Sequence, residues 1–406
     1  MNEDVKVEEV ILETEDKRPK ILWLSDLVVP TGFSRVSHSI IKFLEKDFNI
    51  TGLGINYRGD PHSYKFPIFP ASIGGKVFGE DRLVSILNSS KFDILYILND
   101  AWIVDKYLDT IKKEVQKEFM PKIVVYFPVD SEFHQPEWYK NFDIVTTAVT
   151  YTNWARSVIN NQLCAPELVL DIIPHGVDNT VFYKKYTNRR DAKIQLFRNN
   201  DAGNDFIFLN AGRNQPRKRL DITLEAFKLF SDGKENVKLY MHTGVVDAHI
   251  DVARIAKRFG IDNKLILTSL TKGIQRVPEN VLNDIYNASD VGLNTGMGEG
   301  WGLPNIEHAM VGSAQIVGNH SALGEIFKDC GELVEPKLNF TFDHSMTVGK
   351  LVDPIDVAVS MNKLYSDTPY RESLEKKALE KFSAPEYSWK EIAKLWANVF
   401  LEAINK

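Results

Sequence analysis

Residues 296–307 read Gly-Met-Gly-Glu-Gly-Trp-Gly-Leu-Pro-Asn-Ile-Glu, and this segment decides the fold. It follows a predicted strand and opens a predicted helix, with Pro304 at a position favoured in the first helical turn. The alternating glycines lack Cβ atoms where backbone N–H groups could face a bound anion, and the helix N-terminus adds a positive dipole. Glu299 and Glu307 bracket the turn and are suited to accept hydrogen bonds from neutral hydroxyls. The alternative interpretation is a glycine-rich turn whose glutamate pairs with the helix dipole.

Short apolar runs alternate with helical periodicity on both sides of this segment. In the second half of the chain the predicted strands are residues 206–211, 237–242, 265–268, 290–294 and 315–317. The helical patterns there are residues 221–230, 249–259, 278–288 and 304–310. In the first half the predicted strands are residues 21–25, 93–98, 123–129, 143–149 and 168–174. Continuous apolar strands followed by helices indicate parallel sheets covered on both faces, which is an α/β fold.

Breaks in this pattern divide the chain into two halves and three smaller parts. Residues 1–19 carry seven acidic and three basic side chains with little apolar area, so we expect a disordered acidic tail. Residues 20–185 form one predicted α/β domain, and residues 205–387 form a second. Between them, charged and Asn-rich residues replace the apolar periodicity over residues 186–204, which predicts a linker. Residues 388–406 continue as an amphipathic helix.

The composition excludes several classes of protein. With 44% hydrophobic and 26% charged residues among 406, the chain is neither disordered nor fibrous. The formal net charge is −6, and neither half has the concentrated cationic surface that nucleic-acid binding requires. Two cysteines can build neither a disulfide framework nor a thiolate metal site. No apolar run approaches the ~18 residues that span a bilayer, and no secretory signal is evident, so we predict a cytoplasmic protein.

Glu299 and Glu307 also form a Glu-x7-Glu pair. Four further segments, three before this pair and one after it, complete a set of motifs in a fixed order along the chain. These segments are Thr31-Gly32-Phe33, Ile173-Pro-His-Gly-Val-Asp178, Gly212-Arg-Asn-Gln-Pro-Arg-Lys218 and Tyr387-Ser-Trp389. Together they resemble the retaining, GT-B-fold glycosyltransferases of family 4, also described as glycosyltransferase group 1. The resemblance covers essentially everything from residue 20 onward.

The resemblance implies two Rossmann-like domains that face each other across a cleft, with the last helix crossing back to the N-terminal domain. Residues 20–185, together with 388–406, would then bind the acceptor, and residues 205–387 would bind the nucleotide sugar. In such sheets the ligand lies at the carboxyl ends of the strands. The implied activity is transfer of a sugar from a nucleotide-diphosphate donor to a hydroxyl acceptor, with retention of the anomeric configuration.

The resemblance also implies roles for individual residues. Breaking a sugar–diphosphate bond leaves negative charge on the phosphate, which Arg213 and Lys218 would stabilise; without the companion motifs they would be read as a solvated basic loop. Glu299 would contact the donor sugar, and Glu307 would hold the ribose hydroxyls. The other implied donor-binding residues lie in the N-terminal glycine loop, at a strand end near the base and at the helix start: Gly32, Thr268, Leu270, Gly300, Trp301, Gly302 and Leu303.

No metal or other cofactor is predicted. The sequence has no Asp-x-Asp motif of the kind that metal-dependent transferases of the other major fold use. Its nine histidines form no His-Glu-x-x-His motif or comparable close ligand pair. Two cations and a helix N-terminus aimed at the diphosphate would make a divalent metal unnecessary.

The strand that should face the acceptor departs from the family's pattern. Many relatives end it in His-Asp, whereas here Val129 precedes Asp130. Asp130 could orient the donor sugar or the acceptor hydroxyl, or it could be a turn carboxylate at the strand end. His134 is predicted to be a loop histidine. Asn99-Asp100 closes another strand and could line the acceptor cleft, although capping at the surface is the favoured interpretation there.

A predicted helix over residues 106–122 bears on the partners of the protein. It carries a row of lysines opposite an apolar face and could dock on an anionic membrane that bears a lipid acceptor. Glu114 and Glu118 interrupt the basic face, which favours an ordinary surface helix.

Two alternative functions stay open on the same fold. A sugar-nucleotide epimerase or a phosphorylase would use the same donor site for a different reaction. A non-catalytic module that binds sugar nucleotides or glycans would fit the altered acceptor strand. The presence of Arg213, Lys218, Glu299 and Glu307 argues against the module, because a decayed site should lose some of these side chains.

Overall fold

Two parallel β-sheets organise the chain in a computed structural model that describes residues 16–76, 78–161 and 168–406. The strands of the first sheet are β1 (Lys20–Asp26), β2 (Asn49–Ile55), β3 (Ile68–Pro70), β4 (Ile94–Leu98), β5 (Lys122–Tyr126), β6 (Thr147–Thr150) and β7 (Leu170–Ile172). They lie in the order β3-β2-β1-β4-β5-β6-β7, with neighbouring strands parallel. Most of the acidic tail predicted at 1–19 lies outside the described residues.

Helices cover this sheet because its central strands have no solvent-facing side. In β1 every residue after Lys20 is buried, which is the pattern of a strand covered on both faces. The covering helices are α1 (Gly32–Leu44), α2 (Glu80–Ser89), α3 (Ala101–Glu114) and α4 (Asn153–Asn161). The chain turns sharply from β1 into α1, where Thr31 Oγ1 accepts a hydrogen bond from the Ser34 N–H at 3.2 Å. The carboxyl end of β1 therefore lies beside the N-terminus of a helix.

The second sheet repeats this architecture. Its strands are β8 (Phe206–Asn210), β9 (Val237–Met241), β10 (Leu265–Leu267), β11 (Val291–Asn294), β12 (Ala314–Gly318) and β13 (Glu332–Val334). They lie in the order β10-β9-β8-β11-β12-β13 and are parallel. In both sheets the order reverses beside the first strand, and such switch points are where α/β sheets bind ligands.

Eight helices and a hairpin complete the second half of the described chain. The helices before the hairpin are α5 (Arg189–Phe197), α6 (Leu220–Ser231), α7 (Val252–Phe259), α8 (Glu279–Ala288), α9 (Leu303–Met310) and α10 (Ser321–Ile326). An antiparallel hairpin of β14 (Pro336–Thr341) and β15 (Val348–Val352) follows β13. The chain then forms α11 (Pro354–Ser366) and α12 (Thr368–Ser383).

The last helix, α13 (Trp389–Asn405), returns to the first sheet as predicted. Ser388 Oγ caps it by accepting a hydrogen bond from the Glu391 N–H at 3.3 Å. Trp396 and Phe400 are fully buried, and the Trp396 ring lies 5.1 Å from that of Tyr96 on β4 and 4.7 Å from that of Tyr126 on β5. The helix therefore completes the core of the N-terminal domain with residues from the opposite end of the chain.

The segment predicted to be a linker, residues 186–204, contains a helix. Helix α5 forms within it and packs against α8. Lys193 is only 5% exposed and pairs with Asp290 at 2.7 Å, while Arg189 donates to the Ser289 carbonyl oxygen at 2.8 Å. The charged side chains in this segment thus bind the second sheet and its helices, which is why the apolar periodicity is missing. Where a domain boundary falls within 186–204 stays a prediction.

Three smaller predictions are also corrected. The strand predicted at 143–149 begins only at Thr147, because residues 142–144 form a 3₁₀ turn. Strands β2, β3 and β13 and the hairpin were not predicted. The helix predicted at 106–122 ends at Glu114, and Lys122 already starts β5.

The lysines of this region pair locally. Lys112 Nζ lies 2.8 Å from Asp143 Oδ1, and Lys113 Nζ lies 2.6 Å from Asp109 Oδ2. These pairs offset part of the positive charge on which the membrane-docking hypothesis depends. No helix among the described residues is both long and apolar enough to cross a bilayer.

Replacing Trp396 tests the dependence of the N-terminal domain on α13. Trp396→Ala should lower the free energy of unfolding by about 3–5 kcal/mol, because it removes a large buried ring and leaves a cavity. Leu395→Ala is the control on the same helix, since Leu395 is 44% exposed; its effect should stay within about 0.5 kcal/mol. Urea denaturation measures both. Equal effects of the two substitutions would show that the domain does not depend on this contact.

Candidate active site

The carboxyl edges of the two sheets meet at residues 295–302, which we name the glycine loop. A methyl group on Gly298 would overlap the carbonyl oxygen of Asp130, which follows β5 in the N-terminal domain. A methyl group on Gly300 would lie 2.9 Å from the Pro128 Cβ atom. Two of the alternating glycines therefore allow the domains to approach, rather than only exposing N–H groups to an anion as the sequence suggested.

Glu299 lies in this loop and is the centre of a charged cluster. Its carboxylate pairs with Lys218 and accepts a hydrogen bond from Asn294 Nδ2 at 3.0 Å, while Arg217 Nη1 lies 3.4 Å away. Burial by itself would raise the pKa of this carboxyl, but Lys218 and Arg217 lower the pKa to about 2. Glu299 is therefore an anion at neutral pH, and one of its about four acceptor sites, on Oε2, is not used by Lys218, Asn294 or Arg217.

Lys218 and Arg217 reach the cluster from a 3₁₀ turn, Pro216–Lys218, that follows β8. The turn is fixed to the glycine loop because the Met297 N–H donates to the Arg217 carbonyl oxygen at 2.7 Å. Burial and the neighbouring Arg217 lower the pKa of Lys218, although Glu299 opposes them. The segment thus places two positive charges at the start of α9.

The structure separates the two basic residues that the sequence singled out. Lys218 lies in the cluster, whereas the Arg213 side chain is 42% exposed and its Nε atom pairs with Asp247 Oδ2 at 2.8 Å. Arg217, which the sequence analysis did not select, lies beside Lys218 in the cluster instead. It donates to the Gly298 carbonyl oxygen at 2.8 Å, and its Nε atom lies 3.5 Å from Asp130 Oδ2. No sequence signal distinguishes Arg217 from its basic neighbours.

Helix α9 begins beside this cluster, and Gly302 makes its start possible. Gly302 has φ +88°, and a methyl group there would meet the Leu323 side chain. Leu303 is the first residue of the helix. Trp301 is buried, and its Nε1 atom has no hydrogen-bond partner among the described residues. The predicted donor residues Gly300, Trp301, Gly302 and Leu303 therefore lie together between the two sheets.

Glu307 lies one turn further along α9 and is buried. Its Oε2 accepts a hydrogen bond from the Tyr286 hydroxyl at 2.9 Å, and its Oε1 pairs with Arg35. Burial raises the pKa of Glu307, and Arg35 and Tyr286 oppose this. Arg35 belongs to α1 of the N-terminal domain, and no motif in the sequence distinguishes it.

The other predicted donor residues occupy separate positions around the cleft. Thr268 follows β10, and its hydroxyl lies 2.8 Å from His242 Nδ1. Leu270 is 78% exposed. Gly32 starts α1, and a methyl group there would meet no atom within 4 Å. The roles of these three residues stay predictions.

Three aspartates form the opposite wall of the cleft: Asp26, which ends β1, and Asp100 and Asp130, which follow β4 and β5. Thr31 and Asn56 donate to Asp26 at 2.8 and 3.0 Å, so this carboxylate is already satisfied. The Asp100 side chain makes no cap hydrogen bond with α3, contrary to the favoured sequence interpretation. Burial, followed by the nearby Asp130, raises the pKa of Asp100 to about 6.

His134 lies in a loop, as predicted, and the structure adds that it is buried there. Its Nδ1 atom lies 2.7 Å from the Tyr139 hydroxyl. Burial lowers its pKa to about 4, so it is neutral at physiological pH. Val129 is also fully buried, so it packs in the core and contributes no polar group to the cleft.

Two further contacts join the domains beside the cleft. The backbones of Glu132 and Val348 exchange two hydrogen bonds of 2.8 Å, and Lys350 Nζ lies 2.9 Å from Glu132 Oε1. On another side, Glu325 accepts hydrogen bonds from the N–H groups of Asn153 and Trp154 at 3.1 and 2.6 Å. A carboxylate of the second domain therefore caps α4 of the first, where the helix dipole favours negative charge.

No cluster of three or more His, Cys, Asp or Glu side chains that could hold a metal ion occurs in the part of the chain that the structure describes.

Comparison with known proteins agrees with this architecture. Residues 191–381 match the family model described as glycosyl transferases group 1. No curated protein matches the chain. Among solved structures, Anabaena HepE in complex with UDP and glucose is 15% identical with a TM-score of 0.71, covering 95% of this chain and 100% of its own.

Two other solved structures show the same likeness. Sucrose-phosphate synthase from Thermosynechococcus elongatus is 13% identical with a TM-score of 0.72, covering 95% of this chain and 99% of its own. The catalytic domain of starch synthase IV from Arabidopsis thaliana, bound to ADP and acarbose, is 11% identical with a TM-score of 0.64, covering 96% and 100%. These likenesses confirm the predicted GT-B fold with its two Rossmann-like domains.

Adding a methyl group to the glycine loop should separate the domains. Gly298→Ala should enlarge the radius of gyration and increase protease sensitivity between the domains, because the new Cβ atom collides with the Asp130 carbonyl group. Small-angle X-ray scattering and limited proteolysis measure these changes. Gly32→Ala is the matched control, since its methyl group enters open space. A Gly298→Ala protein with wild-type scattering would contradict the close approach.

Buried histidines should make the fold sensitive to acid. Burial lowers the pKa of His308 to about 3 and that of His175 to about 3, against about 6.5 in the unfolded chain. Only the unfolded state takes up these protons as the pH falls below 6.5, so stability should decrease continuously from pH 6.5 towards pH 4.

Melting temperatures between pH 7 and pH 5 measure this effect. His308→Gln should reduce the fall, while His249→Gln should not, because His249 is exposed. An unchanged pH profile in His308→Gln would show that this histidine is not held neutral.

Proposed function

We propose that the protein is a retaining glycosyltransferase that moves a sugar from a nucleoside-diphosphate donor to a hydroxyl acceptor without a metal ion. The observation that carries this proposal is the cluster of Lys218, Arg217 and Glu299 at the start of α9, opposite Asp130 of the other domain. Cations, a carboxylate with one open acceptor site and a helix N-terminus in one cleft suit a ligand with both phosphate and hydroxyl groups.

On this proposal the diphosphate leaves against Lys218, Arg217 and the N-terminus of α9. Negative charge grows on the phosphate as the sugar–phosphate bond breaks, and cations already held in place stabilise it without reorganising. Arg213 would have to leave Asp247 to take part, so Arg217 is the better placed second cation. These two charges supply what a divalent metal would otherwise supply, which supports metal independence.

Glu299 would orient the donor sugar, because its low pKa keeps it ionised and able to accept hydrogen bonds from sugar hydroxyls. The acceptor would enter along the aspartate wall, where the Asp130 and Asp100 carboxylates can accept hydrogen bonds from its hydroxyls. The acceptor oxygen attacks the face from which the diphosphate departs, and the departing phosphate oxygen takes its proton. The anomeric configuration is thereby retained, and no protein base is required.

The close contact between the two domains supports a transfer reaction rather than hydrolysis. The glycine loop packs against Pro128 and Asp130, and the hairpin bridges from Val348 to Glu132. A cleft closed on these sides admits less water, which strengthens every electrostatic interaction inside it.

Substituting the cluster tests the proposed function. Lys218→Ala and Glu299→Ala should each reduce the rate of sugar transfer by at least about 100-fold, because each removes a preorganised charge at the reacting centre. Radiolabelled UDP-, GDP- and ADP-glucose with a panel of hydroxyl acceptors measure the transfer. Lys228→Ala is the matched control, since Lys228 is exposed on α6.

Three outcomes of this experiment would contradict the proposal. Rates of the two cluster variants within a few-fold of wild type would mean that the roles are assigned wrongly. Loss of turnover on addition of a chelator would overturn metal independence. Isomerised donor or free sugar phosphate, formed without transfer, would instead indicate an epimerase or a phosphorylase.

A further inference from the structure

The buried carboxylate of Glu307 is held by a residue from the other domain. Arg35 lies on α1 of the N-terminal domain, 272 positions away in sequence, and its Nη1 atom donates to Glu307 Oε1. The Glu307 side chain is 4% exposed, and the Tyr286 hydroxyl occupies its other oxygen. The ion pair therefore joins the two domains, and one of its members is the residue predicted to bind the donor ribose.

The surroundings of Arg35 fix its position. The Glu279 Oε1 atom lies 3.7 Å from its Nη2 atom, and its guanidinium carbon lies 5.8 Å from the centre of the Phe182 ring. Its charge also reaches His242, whose pKa is lowered to about 4 by burial and by Arg35. His242 touches Thr268, the residue at the strand end predicted to face the nucleotide base. Arg35 therefore contacts the carboxylate predicted to bind the ribose, and its charge acts on the histidine that contacts Thr268.

We propose that Arg35 positions Glu307 for the ribose of the donor, so that nucleotide recognition is shared between the two domains; this inference rests on the function proposed above. Arg35 would touch the carboxylate rather than the reacting atoms, which makes it a positioning residue.

The arrangement of the Glu307 lone pairs supports this role. An ionised carboxylate has about four sites that accept hydrogen bonds, and Arg35 and Tyr286 take one on each oxygen. One site on each oxygen is left, which matches the two neighbouring hydroxyls of a ribose. Without Arg35, burial would favour the protonated form of Glu307, and a protonated carboxyl loses part of its capacity to accept.

The contact also links nucleotide binding to the approach of the domains. Glu307 has its full set of partners only when α1 lies against α9. A nucleoside diphosphate that binds Glu307 in this state therefore shifts the domains towards the closed arrangement. By linkage, closure of the domains raises the affinity for the nucleotide by the same factor.

Nucleotide binding with and without the ribose 2′-hydroxyl tests the proposal. The probe is whichever of UDP, GDP and ADP raises the wild-type melting temperature most, with its 2′-deoxy form, measured by isothermal titration calorimetry. The wild-type protein should bind the ribonucleotide about 10-fold more tightly, as expected for a hydrogen bond to a charged group. Arg35→Ala should bind both forms equally, with the affinity that the wild type shows for the deoxy form.

Variants at the same and at another position complete the experiment. Arg35→Lys should restore part of the ribose preference, because it returns a positive charge. Arg254→Ala, an exposed arginine on α7, should keep the full preference. In the transfer assay Arg35→Ala should raise the donor KM about 10-fold and change kcat at saturating donor less than about threefold, because Arg35 does not touch the reacting atoms.

Two results would overturn the proposal. One is a wild-type protein that does not distinguish the two nucleotides. The other is an Arg35→Ala protein with the wild-type preference; if that variant does not fold, a folded Arg35→Gln protein with the wild-type preference has the same meaning. Sugar transfer by the wild type alongside either result would leave the proposed function standing, whereas absence of both nucleotide binding and transfer would overturn the two together.

Discussion

The close contact between the glycine loop and the N-terminal domain is the constraint on which the candidate site depends. At Gly298 the two backbones approach so closely that no side chain fits between them. This contact brings Arg217 to Asp130 and thereby joins two groups that belong to different sheets. A glycine loop is often regarded as a cradle for phosphate, but here its glycines also set how closely two domains can pack.

The charged cluster shows why such a contact has consequences beyond packing. Arg217 contacts Glu299, Asp130 and the Gly298 carbonyl group, so one side chain connects the glycine loop to the aspartates of the N-terminal domain. Removing one member of a buried ionic group leaves the others uncompensated and is costly. The wild-type cluster is satisfied within the protein, and it offers a ligand only those lone pairs and N–H groups that its members do not use.

The sequence predicts the fold well where buried strands are continuous apolar runs. It fails where glycines or buried ion pairs, rather than apolar side chains, hold an element in place. Strand β2 escaped detection because Gly52 and Gly54 interrupt its apolar run, yet a methyl group on Gly52 would lie 2.6 Å from the Leu27 side chain. The sequence pattern predicts a linker where α5 forms, because buried ion pairs hold this helix against the second sheet. Ion pairs leave no periodic signal in the sequence. In the candidate site, the spacing of the sequence motifs pointed to Glu299, Glu307 and Lys218. Arg35 and Arg217 take their places through contacts between the two domains, and no local sequence pattern encodes such contacts.

The return of α13 to the first sheet has a consequence for the order in which the protein is made. Trp23, Tyr96 and Tyr126 form an aromatic face of the N-terminal domain, and Trp396 and Phe400 cover it. On the ribosome this face is complete long before its cover has been synthesised, so the whole second domain emerges while the face is open to water. The N-terminal domain therefore cannot finish folding as an independent unit ahead of the C-terminal one, and during synthesis its exposed aromatic face is where chaperones or aggregation would act first.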